Sequence, residues 1–385
     1  MKRPIIVFGM NTMFAVRQFL PETIRTMQNR GFHVVVIAPP GETHSKLEGV
    51  EYRYVAIDRE ISPYRDFRAL FQIWSILRKL QPSICNMSTP KMALLGGVAG
   101  WLARVPHRIY TLRGLRYETT RGRMRSLLIA CEKLACSCAH QVICISRSVR
   151  EGAIRDGIAL PAKITVLGER VSEGLSLQSE SAPAATVTRK DCGIPETSSV
   201  LGFVGRLTKD KGIRELVDAF CILRAEGKDV RLLLLGDFES GDPVDHATEQ
   251  RIRSDPGIRW LGYVPDPHPY YPLMDVFVFP TYREGLGRVL LEAAAAGKPV
   301  VSTHTTGVVD VVFEGVTGLL VPTQDAAAVA QAVGTILRDR HLARAMGERA
   351  RELVWQEFDN SVYLGRLAGM IEALVQPAPT KEVSR

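Results

Sequence analysis

Short apolar runs rich in valine and isoleucine alternate with amphipathic stretches along most of the chain. In the first half, the apolar runs cover residues 4–8, 33–38, 52–57, 83–86, 108–112, 141–145 and 164–167. In the second half, they cover residues 200–204, 230–235, 258–261, 276–279, 299–302 and 318–321. Helical periodicity lies between them, for example over 66–80 and 123–138. Continuous apolar strands separated by helices are typical of parallel sheets covered on both faces, so the pattern predicts an α/β protein.

The alternation is interrupted near the middle of the chain. Residues 172–190 are rich in serine, alanine and glutamate and lack clear periodicity, which indicates a linker. We therefore predict two Rossmann-like domains, residues 1–175 and 194–358, joined by a linker over 176–193. Residues 359–385 are predicted to form a helix that returns to the first domain, followed by a frayed tail. Ligands of open parallel sheets bind beyond the carboxyl ends of the strands, so the expected site is a cleft between the two domains.

Composition narrows the class of protein. The chain has 385 residues and a mass of 42.6 kDa; hydrophobic residues make up 46% and charged residues 23%. These proportions exclude a disordered chain, a collagen-like fibre and a disulfide-stapled miniprotein. The odd number of cysteines, seven, favours a reducing interior. No apolar run has the roughly 18 residues of a transmembrane helix. The apolar start stops at Asn11 without a small-residue cleavage site, which predicts a first strand and not a signal peptide.

Charge is distributed unevenly along the chain. Residues 1–175 carry 26 lysines and arginines against 13 acidic residues, a net +13, whereas residues 176–385 carry 23 against 28, a net −5. The densest basic cluster consists of Arg113, Arg116, Arg121, Arg123 and Arg125. A basic half indicates an anionic partner, either a membrane surface, a diphosphate-bearing substrate or nucleic acid, unless the cluster is only a solvated helix face. Nucleic acid is not expected, because the cluster has only Tyr117 as an interleaved aromatic residue and no binding motif accompanies it.

The segment GFVGRLTKDKG has the residues of an anion site. A predicted strand ends at Val204, Gly205 permits a close turn of the backbone, and a helix begins near Gly212. Arg206 and Lys211 then project near the strand end and the helix start, where they can bind an anion with more than one charge. The GxxxxGK[ST] order of a Walker loop is absent. The alternative is that both cations are solvated loop residues.

The segment PTYREGLGRVLLEAAAAGKPVV holds two carboxylates, Glu284 and Glu292. A glycine-rich turn opens a helix at about Arg288, and the amides of Leu286, Gly287 and Arg288 can donate to phosphate oxygens there. Eight helical steps return to within about 80° of the starting direction, so both carboxylates can reach one ligand. Because carboxylates repel phosphate, their natural partners are sugar hydroxyls. The alternative, a helix cap and a solvated residue, is disfavoured because Glu292 stands in the apolar run VLLEAAAA and a buried carboxylate needs a partner.

These motifs resemble those of a known family. The E-x7-E pattern, the upstream GR-x4-K and the later TGVVDVVFEGVTGLLVP are similar to the second domain of family 4 retaining glycosyltransferases (glycosyl transferase group 1). The similarity covers most of the second half. More loosely, STPKMALLGGVAGWLARVPHRIYTLRGLR resembles the acceptor domain of enzymes that build bacterial surface polysaccharides or lipid-linked glycans. The resemblance implies the GT-B fold, in which two Rossmann-like domains face each other across a cleft.

The resemblance also implies roles for residues of the second half. It assigns Arg206 and Lys211 to the donor diphosphate, Glu284 to the transferred sugar and Glu292 to the ribose hydroxyls. Arg206, Lys211 and Glu284 are the candidate catalytic residues. Family members often have glutamate where Asp310 stands. The remaining donor-binding candidates are Gly205, Tyr263 (beside the base, with Gly262), Gly285, Leu286, Gly287, Thr306 and Gly307.

The implied reaction is a transfer with retention of anomeric configuration. Breaking a sugar–phosphate bond places negative charge on the departing nucleotide diphosphate, and preorganised cations and helix amides stabilise that charge. No metal and no cofactor are then expected, and a DxD-type metal motif is absent from a suitable place. The family implies a leaving phosphate that takes the acceptor proton, so no protein base is assigned.

Four residues of the first half are candidates for the acceptor or the cleft. Gly9 and Asn11 follow the first strand, where the family usually has a glycine pair and this chain has one glycine. Arg113 stands where many relatives have a histidine that contacts the donor sugar. It is expected to bind a phosphate of the donor or the acceptor instead. Lys91 is a candidate for an acceptor diphosphate, or else a solvated residue at a helix start.

The sequence therefore predicts a retaining, metal-independent transferase that moves a hexose or N-acetylhexosamine from a nucleotide sugar, with UDP preferred by resemblance. The expected acceptor is a glycan, on a polyprenyl diphosphate, in polysaccharide biosynthesis. The expected location is the cytoplasm, at the inner, anionic face of the cell membrane. Two alternatives stay open: a UDP-N-acetylhexosamine 2-epimerase, and a noncatalytic nucleotide-sugar-binding partner of a membrane assembly.

Overall fold

The computed structural model describes residues 3–41, 46–58, 61–168, 170–175 and 187–375. These residues divide by their contacts into two units. Of the described residues, those between 3 and 145, between 149 and 172 and between 361 and 375 belong to the first unit, and those over 146–148 and between 173 and 360 belong to the second. Residues 176–186 of the predicted linker and 376–385 of the predicted frayed tail lie outside the described residues.

The first unit is built on a parallel sheet of seven described strands in the order β3-β2-β1-β4-β5-β6-β7. The central strand pairs Ile6 with Val34 on one side and with Ile84 on the other. All three side chains are buried, as expected for strands covered on both faces. The strands are β1 (Ile5–Gly9), β2 (His33–Ala38), β3 (Glu51–Tyr54), β4 (Ile84–Ser88), β5 (His107–Leu112), β6 (Gln141–Cys144) and β7 (Ile164–Thr165).

Helices cover the first sheet in layers. Its described helices are α1 (Met13–Phe19), α2 (Pro21–Asn29), α3 (Pro63–Leu80), α4 (Pro90–Leu102), α5 (Gly122–Cys138), α6 (Arg147–Arg155) and α12 (Asn360–Val375). One layer has α4 packed between α3 and α5. In another, Leu367 and Ile371 of α12 join α1 and α2 in a core with Ile6 and Val34 of the sheet. Helix α12, the last helix among the described residues, therefore completes the core of the first unit.

The second unit has a parallel sheet of six described strands in the order β10-β9-β8-β11-β12-β13. Its strands are β8 (Ser199–Val204), β9 (Val230–Leu235), β10 (Ile258–Trp260), β11 (Val276–Phe279), β12 (Val300–Thr303) and β13 (Gly318–Val321). Its helices are α7 (Ile213–Ala225), α8 (His246–Ser254), α9 (Arg288–Ala295), α10 (Ala326–Arg338) and α11 (Arg340–Glu357). The chain runs outward from β8 to β10 and then returns to β11 beside β8. This reversal is the topological switch point at which open α/β sheets bind ligands.

The predicted fold class, α/β with parallel sheets, is confirmed. Two strands that have one neighbour each are shorter than predicted. The expected strand 52–57 ends at Tyr54, and the expected strand 164–167 is reduced to Ile164–Thr165. Both are edge strands, so only one partner supplies backbone hydrogen bonds. The predicted domain bounds and the predicted cleft stay predictions. Among the described residues, no helix combines the length and the apolar character needed to cross a membrane.

A buried carboxyl group in the first unit gives a prediction about stability. Glu132 of α5 is 4% exposed, and its carboxylate accepts a hydrogen bond of 2.9 Å from the Tyr110 hydroxyl. Burial raises the pKa of Glu132 from 4.5 to about 7, although the Tyr110 hydrogen bond opposes the shift. Between pH 4.5 and about 7, the Glu132 carboxyl group is therefore protonated in the folded chain and ionised in the unfolded chain. Stability contributed by this group is present below pH 4.5 and is lost as the pH rises through 7.

We expect Glu132→Gln to be more stable than the wild type at pH 8, by up to about 3 kcal/mol, because glutamine has no charge to bury and still accepts the Tyr110 hydrogen bond. Thermal unfolding of both proteins at pH 5, 6, 7 and 8 measures the effect. The difference in melting temperature should grow with pH. A difference that stays constant from pH 5 to 8 would contradict the assignment.

Candidate active site

The predicted cations Arg206 and Lys211 lie at the switch point, in the loop that follows β8. Each is paired with a carboxylate, Arg206 with Glu239 and Lys211 with Glu284. The Lys211–Glu284 pair is the more enclosed, with side chains 13% and 14% exposed. The Lys211 ammonium also lies 5.3 Å from the ring centroid of Phe279, the last residue of β11. The structure thus brings together Lys211 and Glu284, which the sequence placed in two separate motifs.

Gly212 fixes how closely the two loops approach. It caps the start of α7 with a φ of +68°, a left-handed conformation that glycine adopts without steric cost. A Cβ atom built there would lie 2.0 Å from the carbonyl oxygen of Pro280, the first residue after β11. Any side chain at this position would push the two loops apart and separate Lys211 from Glu284.

Asp210 ties the same two loops together and was not predicted. The Thr208 hydroxyl donates to its Oδ1 at 2.6 Å, and the Arg283 guanidinium donates to its Oδ2 at 3.0 Å. Its backbone carbonyl accepts from the N–H of Tyr282 at 2.8 Å. Burial disfavours the charged form, but Lys211, Thr208 and Arg283 outweigh it and hold the pKa of Asp210 below its ordinary value. Asp210 therefore stays ionised and holds the loop after β8 against the loop after β11.

Glu292 is buried inside α9, one of the helices that begin at the switch point. It is 5% exposed, which excludes the solvated alternative. The Tyr271 hydroxyl donates to its Oε2 at 2.8 Å, and the Arg288 Nε lies 3.3 Å from its Oε1. Tyr271 itself is fully buried. The carboxylate is therefore held in one orientation, by partners other than the Lys211 that holds Glu284.

The glycine-rich turn before α9 is packed against the loop that follows β12. The Glu284 N–H donates to the Thr306 carbonyl at 3.2 Å. Gly307 has a φ of +80°, and a Cβ atom there would lie 2.7 Å from the Gly285 carbonyl carbon. Leu286 is buried, and Gly287 caps α9 in a left-handed conformation. The first N–H groups of α9 have no acceptor within the helix, so the turn presents donors beside Glu284.

The predicted base-binding segment follows β10. Gly262 accepts a hydrogen bond of 2.7 Å from the N–H of Gly236, which follows β9. The Tyr263 N–H donates to the Asp237 carboxylate at 3.1 Å. Tyr263 as a whole is 61% exposed. This segment is thus joined to the loop after β9 by one backbone hydrogen bond and by one to a side chain. Gly205 is joined to the end of β9 by its N–H, which donates to the Leu235 carbonyl at 2.9 Å.

The first-unit candidates are engaged in contacts of their own unit. Gly9 packs tightly against Met87, since a Cβ atom at Gly9 would lie 2.4 Å from the Met87 sulfur. Asn11 is partly exposed, just before α1. The Arg113 guanidinium lies 4.3 Å from the Phe19 ring centroid. The roles predicted for these residues stay predictions.

Lys91 is less available than the sequence indicated. Its ammonium lies 2.7 Å from the Asp66 carboxylate and donates to the Asp58 carbonyl at 2.7 Å. The side chain is 15% exposed, which corrects the alternative of a solvated residue. An acceptor diphosphate would have to compete with this ion pair.

Comparison with known proteins identifies the family. Residues 198–339 match the model of the glycosyl transferases group 1, and residues 15–168 match that of the glycosyl transferase 4-like domain. A capsular polysaccharide biosynthesis glycosyltransferase of Staphylococcus aureus, CapM, is 32% identical over 358 residues, which are 93% of this chain and 94% of that protein. The UDP-Gal:α-D-GlcNAc-diphosphoundecaprenol α-1,3-galactosyltransferase of Escherichia coli is 25% identical over 307 residues, 78% of each chain.

Solved structures share the fold. Sucrose-phosphate synthase of Thermosynechococcus elongatus has a TM-score of 0.79 at 22% identity, covering 97% of this chain and 99% of that one. Anabaena HepE in complex with UDP and glucose has a TM-score of 0.78 at 18% identity, covering 96% of this chain and 100% of that one. The chain is therefore a glycosyltransferase of the group 1 family, and its two α/β units are those of the GT-B fold.

Proposed function

We propose that this glycosyltransferase moves a hexose or an N-acetylhexosamine from a UDP-linked donor to a lipid-linked glycan during polysaccharide biosynthesis. The observation that carries the proposal is the enclosed Lys211–Glu284 pair beside the start of α9, at the switch point of the second sheet. A cation, a carboxylate and helix amides in one place suit a ligand that has both phosphates and sugar hydroxyls. The names of CapM and of the galactosyltransferase from Escherichia coli support the pathway and the donor class.

In the proposed donor complex, Lys211 and Arg206 bind the diphosphate, Glu284 accepts hydrogen bonds from the transferred sugar, and Glu292 accepts them from the ribose. Donor binding would separate Lys211 from Glu284 and give each a ligand group in exchange. The ion pair keeps both groups ordered before the donor arrives, which lowers the entropy that binding must remove.

In the reaction step, the bond between the anomeric carbon and the phosphate oxygen breaks as the acceptor oxygen forms a bond to that carbon. The acceptor proton passes to the leaving phosphate, so no protein base is required. Charge that develops on the diphosphate is stabilised by Arg206, Lys211 and the amides at the start of α9. We propose that the transfer retains anomeric configuration and proceeds without a metal.

The acceptor and the location are proposed from charge. Residues 1–175 have a net charge of +13, and basic surfaces gain about 1 kcal/mol per lysine or arginine on an anionic lipid surface. An acceptor linked to polyprenyl diphosphate is itself anionic and membrane-bound. We therefore place the enzyme in the cytoplasm, at the inner face of the cell membrane.

The activity is tested by incubating the purified protein with UDP-, GDP- and ADP-sugars and measuring the release of free nucleotide. We expect release from UDP-sugars, which is slow with water as acceptor and fast with a glycan on polyprenyl diphosphate. Conversion of a UDP-sugar into its 2-epimer without release of UDP would instead identify the epimerase. Tight binding of UDP-sugar without any turnover, with the lipid-linked acceptor present, would identify a noncatalytic binding protein.

Tyr271→Phe tests whether the orientation of Glu292 matters for donor binding. Loss of the hydroxyl leaves a buried carboxylate short of one donor, a change that costs about 1 kcal/mol or more. We expect KM for the donor to rise about fivefold to tenfold, with kcat within twofold of the wild type. Steady-state kinetics measure both constants. An equal fall in kcat at constant KM would contradict a role in donor binding.

A further inference from the structure

Helix α3 exposes an aromatic stripe on the side away from the core of the first unit. The side that it buries is formed by Ala69, Ile73 and Leu77. Three large aromatic residues lie three and four positions apart on its exposed side: Tyr64, Phe67 and Phe71, which are 78%, 70% and 57% exposed. At 3.6 residues per turn, this spacing places the three rings along one line of the helix surface. Exposed apolar patches of this kind mark surfaces that interact with a partner.

The stripe continues toward the end of the helix with aromatic and basic groups in contact. The rings of Phe71 and Trp74 lie 5.1 Å apart, and the Arg78 guanidinium lies 5.7 Å from the Trp74 ring centroid. Arg68 and Lys79 are exposed on the same helix. Aromatic rings beside arginine and lysine are suited to an environment that is apolar at one depth and polar at the next.

The charges of the whole layer α3–α5 have one sign at its surface. The three helices carry eight lysines and arginines and two acidic residues, Asp66 and Glu132. Both carboxylates are turned inward: Asp66 pairs with Lys91, and Glu132 is buried against Tyr110. The exposed charges of the three helices are therefore all positive, at Arg65, Arg68, Arg78, Lys79, Arg123, Arg125 and Lys133. Two of them, Arg65 and Arg125, pair with Asp58 and Asp156 of neighbouring segments.

Helix α5 adds apolar surface to the same layer. Its first turns expose Met124 and Leu127, at 48% and 46%, in the same turns as Arg123 and Arg125. Helices α3 and α5 each follow a strand of the parallel sheet, so both begin at the edge where the strands have their carboxyl ends. That edge is where ligands of open parallel sheets bind. The apolar residues of both helices thus lie near the expected acceptor position of this unit.

We propose that the outer face of α3–α5 docks onto an anionic membrane, with Tyr64, Phe67 and Phe71 inserted at the lipid interface. The inference rests on the proposed function, because it deepens the membrane association proposed there. An excess of positive charge around an aromatic stripe complements anionic headgroups. A second copy of the chain is the poorer partner, because a two-fold contact through this face would set like charges against each other. Docking here would bring a lipid-linked acceptor to the carboxyl edge of the first sheet.

Co-sedimentation with vesicles tests the docking surface. The wild type should bind vesicles of equal phosphatidylglycerol and phosphatidylcholine, and bind phosphatidylcholine alone at least tenfold more weakly. The double variant Phe67→Ser, Phe71→Ser should lower binding to anionic vesicles at least tenfold. The triple variant Arg68→Gln, Arg78→Gln, Lys79→Gln should lower it about a hundredfold and flatten its dependence on salt. Trp355→Ser is the matched control, since Trp355 is an aromatic residue 48% exposed on α11 of the other unit.

The depth of insertion gives a second test, in which a signal appears on binding, whereas the first test measures a loss of binding. Trp74 lies against Phe71, so its fluorescence should be quenched by phosphatidylglycerol brominated on the acyl chain. The quenching should disappear in Trp74→Phe and persist in Trp355→Phe. Absence of quenching, full binding of the Phe67/Phe71 variant, or equal loss in Trp355→Ser would each overturn the proposal. So would light scattering that shows a wild-type dimer dissociated by the Phe67/Phe71 substitutions, with vesicle binding unchanged.

The outcome is separable from that of the proposed function. The Phe67/Phe71 variant should release UDP from a donor in solution at the wild-type rate, because neither residue belongs to the donor site. Donor turnover without vesicle binding would overturn the docking surface alone. Vesicle binding without turnover of any donor would overturn the transferase proposal and leave the docking surface in place.

Discussion

Replacing Lys211 with methionine is expected to lower the turnover number about 10²- to 10³-fold, while the protein stays folded. Methionine keeps much of the length of the lysine side chain and removes its charge. The effect follows from the loss of a preorganised cation at the position where the leaving diphosphate gains charge, which is worth about 3–4 kcal/mol. Release of free nucleotide, measured under saturating donor, gives the result directly.

Two controls separate this effect from a structural one. Lys209→Met removes an exposed lysine from the same turn and should leave turnover within twofold. Removing Lys211 also leaves Glu284 enclosed without its ion-pair partner, which destabilises the fold. The double variant Lys211→Met, Glu284→Gln should therefore recover stability but not activity. Full activity in Lys211→Met would show that the diphosphate charge is stabilised elsewhere.

Replacing Glu292 with glutamine is expected to raise KM for the donor about a hundredfold, with a smaller change in kcat, because hydrogen bonds to a charged acceptor contribute about 1.5–3 kcal/mol each. Glutamine fills the same volume, and its carbonyl still accepts the Tyr271 hydrogen bond. The contact predicted to be lost is the one to the ribose hydroxyls. Inhibition by UDP, 2′-deoxy-UDP and 3′-deoxy-UDP reports on that contact.

Wild-type enzyme should bind at least one deoxy analogue about tenfold or more weakly than UDP, because the missing hydroxyl removes one hydrogen bond that the buried carboxylate would otherwise accept. In Glu292→Gln the three inhibitors should bind with nearly equal affinity. If the variant still discriminates against the deoxy analogues as the wild type does, Glu292 does not contact the ribose. Arg288 lies against Glu292, so a change confined to kcat would instead indicate a disturbed start of α9.

The central strands could be predicted from the sequence because hydrophobic burial on both faces leaves an unbroken apolar run. The runs at 33–38 and 230–235 coincide with β2 and β9. Strand β4 extends beyond its predicted end at Asn86 to Ser88, although both side chains are polar. Both are buried, and the Thr111 hydroxyl on the neighbouring strand donates to Asn86 at 2.9 Å. A buried polar residue that is hydrogen-bonded by a neighbouring strand cannot be identified from a hydrophobicity pattern.

The candidate site could be predicted in part. Glycines and charged residues at strand ends mark where a ligand approaches the backbone, which is why Gly205, Lys211 and Glu284 stood out. Their partners did not. Tyr271 reaches Glu292 from 21 residues away, and Glu239 reaches Arg206 from 33 residues away. These pairings depend on how the loops of the second unit fold over the sheet edge. A single sequence does not show which loops are in contact.

Asp210 and Arg283 show the same limit at closer range. Both stand inside the two motifs, yet their charges are indistinguishable in sequence from those of solvated loop residues. Their pairing depends on the contact between Gly212 and Pro280, which sets the distance between the loops. The sequence shows which residues of the motifs are charged. It does not show the geometry that distinguishes ligand-binding charges from structural ones.

The position of α12 affects the order in which the chain can fold during synthesis. Its side chains Tyr363, Leu367 and Ile371 fill a core whose other members include Ile6, near the start of the chain. While the ribosome is still translating the second unit, the first sheet has been made but the core face that these residues fill remains uncovered. Until α12 emerges, that apolar face is exposed to solvent or covered by a chaperone. The first unit is thus completed after the second has been translated, although its strands are translated before those of the second.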